Sequence, residues 1–261
     1  MTKKSQSIIS KISPAAAILF AVGVWWLVCG FGNIPAAMLP SPTAVAAAFV
    51  RDFPVLSAQA KTTLVEAFAG LAIGIALAFA IATLMDRFSP LYHALYPILV
   101  ISQTIPTIAI APLLVLWMGY ELQPKIALVV LTTFFPITVS LLDGYKSVDP
   151  DAEALLRSMG AKRRQVFWYL KLPASLGQMF SGLKISASYA IVGAVIAEWL
   201  GGFHGLGVYM TKVKKAYAFD KMFAVILLII LISLLLMLAV SLAERFLMPW
   251  QKAEKEKFSN Q

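Results

Sequence analysis

Charged residues are scarce in this sequence. They occupy 13% of the 261 positions, whereas about 25% is usual for a soluble globular domain. Apolar residues make up 60%, so a water-soluble fold of this chain would have too few polar side chains to cover its surface. The same composition excludes intrinsic disorder, which needs low hydrophobicity and high charge. The composition therefore indicates a membrane protein.

Residues that carry catalysis or bind metals are also few. Cys29 is the only cysteine, which excludes an internal disulfide and a cysteine-based metal cluster. His93 and His204 are far apart and lack ligand-spaced carboxylates. The sequence has no Gly-x-x-x-x-Gly-Lys-Ser/Thr motif for binding nucleotide phosphates. We therefore predict that the chain is not an enzyme and has no catalytic residue, no metal site and no bound cofactor.

Long apolar runs dominate what the sequence does contain. A bilayer core of about 30 Å is crossed by a helix of roughly 20 apolar residues. Six runs of about this length are present, at about 14–32, 62–85, 91–118, 122–142, 176–200 and 222–247. None shows the period-two alternation of a membrane barrel, so we predict an all-α protein with one transmembrane domain over residues 1–261 and six spanning helices. We expect the first run to be retained, because it is long for a signal peptide and Val28 is too large for the position before a lipoprotein cysteine.

The positions of Lys and Arg predict the orientation. Six spans place both termini on one side, where fourteen basic residues fall, against seven on the other side. Basic residues accumulate on the cytoplasmic side of membrane proteins, so both termini are predicted to be cytoplasmic. The formal net charge of +9 then reflects orientation, and nucleic acid is not an expected partner.

The segment between the fourth and fifth spans, about residues 143–175, is the one sizeable polar insert on the predicted cytoplasmic side. Asp149 can cap a helix that begins at Pro150, and Gly160 can close it. Apolar residues within it recur at helical spacing: Ala152, Leu155, Leu156 and Met159. This pattern predicts a short amphipathic helix, which could lie on lipid headgroups or insert into a groove of a partner protein.

The same segment resembles the cytoplasmic signature of permease subunits of bacterial binding-protein-dependent ATP-binding-cassette (ABC) importers. That signature reads Glu-Ala-Ala, three residues, Gly, nine residues, Ile, any residue, Leu-Pro. The matching positions here are Gly160, Leu170 at the Ile position, Leu172 and Pro173. The chain departs from it at the start, because Ala154 occupies the position of the family glutamate and Glu153 comes one residue earlier. A shift of one residue turns a side chain by about 100° around a helix.

Other stretches are similar to one branch of these permeases. Leu-Pro-Ser-Pro at 39–42 and Glu-Trp-Leu-Gly-Gly at 198–202 resemble the sulfonate, taurine and nitrate permeases. Ser-Ala-Ser-Tyr-Ala-Ile-Val-Gly-Ala-Val at 186–195 also resembles permeases for pyrimidine precursors of thiamine. The resemblance therefore favours a hydroxymethylpyrimidine-type solute, with sulfonates, taurine or nitrate as the other substrates it offers.

The resemblance implies the partners and the site. A permease homodimer would form the path across the prokaryotic cytoplasmic membrane, two separate ATPase subunits would use the ATP, and an extracytoplasmic binding protein would deliver the solute. The residues implied in coupling to the ATPase are Glu153, Ala154, Gly160, Leu170, Leu172 and Pro173. The alternative is an ion-coupled secondary transporter or channel, which would show acidic residues buried within spans or inverted repeats.

Polar residues inside the runs are candidates for the translocation path. Ser102, Gln103 and Thr104 lie midway along the third run, and Glu198 lies near the outer end of the fifth. Polar groups at membrane depth usually face a cavity or the bundle interior, although hydroxyls also join neighbouring helices and a carboxylate can sit at the interface. Small residues recur every four positions along the second run, at 70, 74, 78 and 82, and this stripe predicts close helix packing.

Overall fold

The computed structural model describes residues 3–32, 35 and 38–249, with side chains from residue 16 onward. A π-helical turn, Phe167–Lys171, joins two of its helices. Over these residues the α-helices, in chain order, are α1 Lys3–Phe31, α2 Pro42–Arg51, α3 Phe53–Arg87, α4 Ser89–Ser102, α5 Thr107–Met118, α6 Leu122–Lys146, α7 Pro150–Ser158, α8 Arg163–Val166, α9 Leu172–Leu200, α10 Leu206–Lys215 and α11 Phe219–Leu247.

The chain divides into two compact units. The larger unit comprises Ala60–Val208 and Ile229–Gln261, and the smaller comprises Met1–Gln59 and Tyr209–Leu228. In the smaller unit Trp25 stacks on Phe223 with ring centroids 5.7 Å apart, and Lys221 forms an ion pair with Asp52 at 3.0 Å.

Four helical segments are long and apolar enough to cross a membrane: Phe53–Arg87, Leu122–Lys146, Arg163–Leu200 and Phe219–Leu247. A bent pair, α4 and α5, supplies a fifth if it is one span, and the described part of α1 forms a shorter apolar helix, Ala16–Phe31. The prediction of an all-helical membrane protein is confirmed at this level, whereas the number six and the side of the termini stay predictions. The basic side chains near the two chain ends that entered the orientation count, Lys3, Lys4, Lys11, Lys252, Lys255 and Lys257, lie outside the described side chains.

The predicted third span, 91–118, is interrupted in the structure. α4 and α5 are separate helices that meet at 99°. Pro106 stands immediately before α5 with φ −60° and ψ 122°, and its ring removes the backbone donor that a continuous helix needs there. Hydropathy measures the length of an apolar run but does not show whether the helix axis changes direction within it. The run 91–118 therefore predicts a single span.

The core of the larger unit is built by α3, α6 and α9, which approach closely at small residues. A Cβ on Gly70 of α3 would lie 2.5 Å from the Cβ of Val129 of α6, and Ala78 and Ala82 are completely buried. A Cβ on Gly182 of α9 would likewise lie 2.7 Å from a backbone oxygen of α6. The predicted packing role of the small-residue stripe is confirmed.

Candidate functional site

Helix α7 stands between two spans and is closed at both ends by local hydrogen bonds. The Asp149 side chain accepts a hydrogen bond from the Asp151 backbone N–H at 2.9 Å, and Pro150 occupies the first turn. At the other end the N–H of Gly160 donates to the carbonyl of Arg157 and the N–H of Ala161 donates to that of Leu156, both at 3.0 Å. These two bonds form a Schellman motif, in which the residue after the cap has positive φ, here +84° at Gly160. The predicted helix and both of its predicted ends are confirmed.

The apolar side chains of α7 are divided between two directions. Leu155 is 63% exposed and Met159, just after the helix, is 74% exposed, whereas Ala152 and Leu156 are half-buried. The predicted four-residue apolar face is therefore divided: Ala152 and Leu156 pack against the protein, whereas Leu155 and Met159 are exposed. The exposed pair gives this short helix an apolar surface on its outer side.

Glu153 and Ala154 point in different directions, as their 100° offset requires. Glu153 is half-buried and accepts hydrogen bonds from Arg157, one turn later, at 2.6 Å from Nη2 and 3.0 Å from Nε. The Arg157 guanidinium lowers the pKa of the Glu153 carboxyl below its ordinary value, so this ion pair is present at neutral pH. Ala154 is exposed, and its methyl leaves the position of the family glutamate without charge. The Glu153 carboxylate is therefore engaged in an ion pair within α7.

The two ends of the inserted segment are joined to each other. A Cβ on Gly144, near the end of α6, would lie 2.6 Å from the Cβ of Ser175, in the first turn of α9. Lys171 forms an ion pair with Asp86 of α3 at 2.8 Å, and Arg163 donates to the backbone carbonyl of Arg87 at 2.6 Å. Residues 147–171 therefore form an excursion that is anchored to the ends of three spans.

The later signature residues lie where this excursion enters α9. Leu170 belongs to the π-helical turn Phe167–Lys171, while Leu172 and Pro173 begin α9. All three are half-buried. A π turn holds one more residue than an α turn and is frequent at functional sites. Sequence reasoning missed this turn, since no residue in it is a helix breaker.

The three central pathway candidates lie at the break between α4 and α5. Ser102 ends α4, Gln103 and Thr104 follow it, and all three are exposed in this chain. The Ser102 and Thr104 hydroxyls donate to the carbonyl oxygens of Leu99 and Ile101, three residues earlier, at 2.7 and 2.8 Å, so both hydroxyls have local backbone partners at the break. Irregular backbone at membrane depth is tolerated where it is buried in protein or lines a cavity.

Glu198, the fourth pathway candidate, is enclosed at the opposite end of the spans from α7. It is 2% exposed, and its two carboxylate oxygens accept hydrogen bonds from the Thr63 hydroxyl at 2.7 Å and the Gly207 N–H at 2.6 Å. Thr63 in turn accepts from the N–H of Leu206 at 2.9 Å. A Cβ on Gly205 would lie 2.2 Å from the Glu198 carboxyl carbon, which explains glycine at that position.

An ion pair that the sequence did not reveal lies at the same end of the spans as Glu198. Lys125 of α6 donates to Glu66 of α3 at 2.9 Å, with side chains 5% and 0% exposed. A Cβ on Gly202 would lie 2.8 Å from the Lys125 Nζ, so glycine at this position leaves room for the Lys125 ammonium. The available signal was the presence of charged residues within or beside apolar runs. Buried acidic residues within spans are therefore present.

Comparison with known proteins decides the family. The profile of the binding-protein-dependent transport system inner membrane component matches residues 70–250, which include the broken pair α4 and α5 and the whole of α7. The chain belongs to this family. The permease is 41% identical over 185 residues to the formylaminopyrimidine transport permease protein ThiX of Halalkalibacterium halodurans, a match covering 71% of this chain and 74% of that protein. It is 30% identical over 239 residues to the taurine transport system permease protein TauC of Escherichia coli, covering 87% and 85%.

The fold of the permease is also that of a solved transporter. An inward-facing structure of the MetNI methionine ABC transporter aligns with a TM-score of 0.60 at 19% identity, covering 73% of this chain and 93% of that one. The chain is thus a permease component of an ABC importer and a multi-pass protein of the cell membrane, as the sequence signature predicted. Its relatives are transport permeases and not themselves catalytic.

Proposed function

We propose that this permease carries a pyrimidine precursor of thiamine, of the formylaminopyrimidine type, into the cell. The support is its 41% identity to a formylaminopyrimidine permease, against 30% to a taurine permease. In this proposal two copies form the path through six spans each, the termini and α7 face the cytoplasm, two separate ATPase subunits use the ATP, and an extracytoplasmic binding protein supplies the solute. The permease itself binds no cofactor.

The architecture of α7 is the observation that supports the proposed coupling to the ATPase. The helix is capped at both ends, presents Leu155 and Met159 outward, and belongs to a segment whose other residues contact the ends of α3, α6 and α9. A rigid helix with an exposed apolar face fits a groove in a partner, here the ATPase. Movement of that partner is then transmitted to three spans at once. Gly160 closes α7, Pro173 lies in the first turn of α9 just after the segment, and Glu153 stiffens α7 through Arg157.

The break between α4 and α5 is the part of the path that we propose contacts solute. Ser102, Gln103 and Thr104 are exposed there, and the Gln103 amide can both donate and accept hydrogen bonds. A pyrimidine with amino and ring nitrogens offers complementary groups. Discontinuous helices also form substrate sites in other transporters.

The test is uptake by proteoliposomes that hold the permease with its ATPase subunits and receive the binding protein from outside. Labelled formylaminopyrimidine should accumulate when ATP is inside, and taurine should not. Accumulation of taurine alone would overturn the substrate. A Gln103→Ala variant should slow uptake, whereas Gln123→Ala, outside the break, is the matched control.

The alternative, an ion-coupled transporter, gains one observation from the structure, namely the buried Glu66, Lys125 and Glu198. It predicts uptake by the permease alone under an ion gradient without ATP. Proteoliposomes lacking the ATPase subunits distinguish the two, because the importer must then be inactive under every gradient applied.

A further inference from the structure

A cavity of about 320 Å³ lies beside α7 in the larger unit. Its walls are the last turns of α3, the inner side of α7, and α8 with the π-helical turn after it. These elements meet at the end of the spans from which α7 emerges. The cavity is therefore at the level where membrane and water meet, and it faces the cytoplasm in the orientation proposed above, on which this inference rests.

The cavity carries an excess of positive charge. Its two acidic side chains, Asp86 and Glu153, are each already paired, with Lys171 at 2.8 Å and Arg157 at 2.6 Å. Five basic side chains line it: Arg87, Arg157, Arg163, Arg164 and Lys171. Among the residues described by the structure, no acidic side chain pairs with Arg87 or Arg164. Arg163 donates to the backbone carbonyl of Arg87 and likewise has no acidic partner among the described residues, so three guanidinium groups border the cavity without a carboxylate. Guanidinium forks match the oxygens of a phosphate.

The remaining walls of the cavity are apolar. Phe79, Val166, Phe167 and Trp168 line it, and Trp168 is half exposed. A free phosphate ion gains nothing from such walls, whereas a phospholipid has a charged headgroup joined to hydrocarbon. Tryptophan is enriched at the membrane interface, where one part of the ring is wet and the other apolar. The combination of phosphate-binding groups and apolar walls favours an amphipathic ligand.

We propose that this cavity binds the phosphate of an anionic phospholipid headgroup, with the upper acyl chain against Phe167 and Trp168. The cytoplasmic leaflet supplies anionic lipids, and basic pockets between helices on that side bind their headgroups. Because Glu153 and Arg157 of α7 form part of the wall, an occupied cavity joins α7 to the end of α3. Anionic lipid therefore holds the coupling helix in position from its inner side, while the outer side is left for the ATPase.

The test is lipid binding to the purified full-length permease. Native mass spectrometry measures the retention of phosphatidylglycerol against phosphatidylcholine from mixed vesicles. Wild type should retain phosphatidylglycerol preferentially, and Arg164→Gln or Arg87→Gln should each weaken that binding by about tenfold, as expected for loss of a hydrogen bond to a charged group. Lys162→Gln removes an exposed charge from the same loop, outside the cavity wall, and should bind like wild type.

Three outcomes overturn the proposal. One is equal weakening by Lys162→Gln, which would mean diffuse attraction to the loop. Another is displacement of the lipid by inorganic phosphate at equal concentration, which would assign the cavity to a free anion. The third is no preference between the two lipids. Because the measurement uses neither ATP nor solute, it fails or succeeds independently of the transported substrate.

Discussion

Gly160 offers the sharpest test of coupling, because its replacement disturbs the backbone and nothing else. Its φ is +84°, and a Cβ built on it meets no atom within 4 Å. Alanine at this position therefore costs only the left-handed conformation, about 1–2 kcal/mol for an L-residue. The two Schellman hydrogen bonds to Arg157 and Leu156 depend on that conformation.

This strain acts on a helix with little stability of its own. α7 has nine residues, and isolated helices of this length are marginal in water. A change of 1–2 kcal/mol shifts the ratio of capped to frayed α7 by roughly 5–30-fold. If the capped helix transmits the movement of the ATPase, Gly160→Ala should reduce uptake per ATP hydrolysed. Gly160→Asn should retain most of the coupling, because asparagine tolerates the left-handed region and also closes helices.

Gly119 provides the matched control. Its φ is +86°, a Cβ there also meets nothing within 4 Å, and its ψ of −166° lies in a region that is essentially restricted to glycine. Gly119→Ala should therefore lower the thermal midpoint at least as much as Gly160→Ala, without changing uptake per ATP. The assay measures solute-stimulated ATP hydrolysis and uptake in the same proteoliposomes. Equal uncoupling by both variants, or normal coupling in Gly160→Ala, would refute the role of the capped helix.

Two further predictions concern ion pairs. Lys125→Met should destabilise the permease by about 3–5 kcal/mol because it leaves the buried Glu66 carboxylate without its cation. Glu66→Leu combined with Lys125→Met should recover most of that loss. Thermal denaturation in detergent measures both, and additive losses would contradict the pairing. The Glu153 carboxyl, whose pKa Arg157 lowers, should stabilise α7 fully above the ordinary glutamate pKa and lose this contribution as the pH falls through the lowered value. Arg157→Gln should raise the pKa of Glu153 in a carboxyl NMR titration, and an unchanged value would contradict the assignment.

Helix α7 could be predicted from the sequence because its determinants are local. The cap at Asp149, the proline after it and the closing glycine act within one turn of the helix ends, so their effect does not depend on the rest of the fold. The four long apolar helices were predictable for a related reason, since the apolar length of each run alone requires burial in lipid. The outward exposure of Leu155 and Met159 was not predictable, because the pattern gives a face but not which half of it the protein covers.

The contacts of the buried charges depend on distant parts of the chain. Lys125 and Glu66 are 59 residues apart, and Thr63 and Glu198 are 135 apart. No local pattern pairs such residues, so Glu66 alone suggests a side chain that reaches the interface, whereas the structure shows it completely buried. The glycines between residues 201 and 207 are the local sign of these buried charges in the sequence. Gly202 leaves room for the Lys125 ammonium and Gly205 for the Glu198 carboxyl, so this glycine-rich turn is built around charges contributed by other helices.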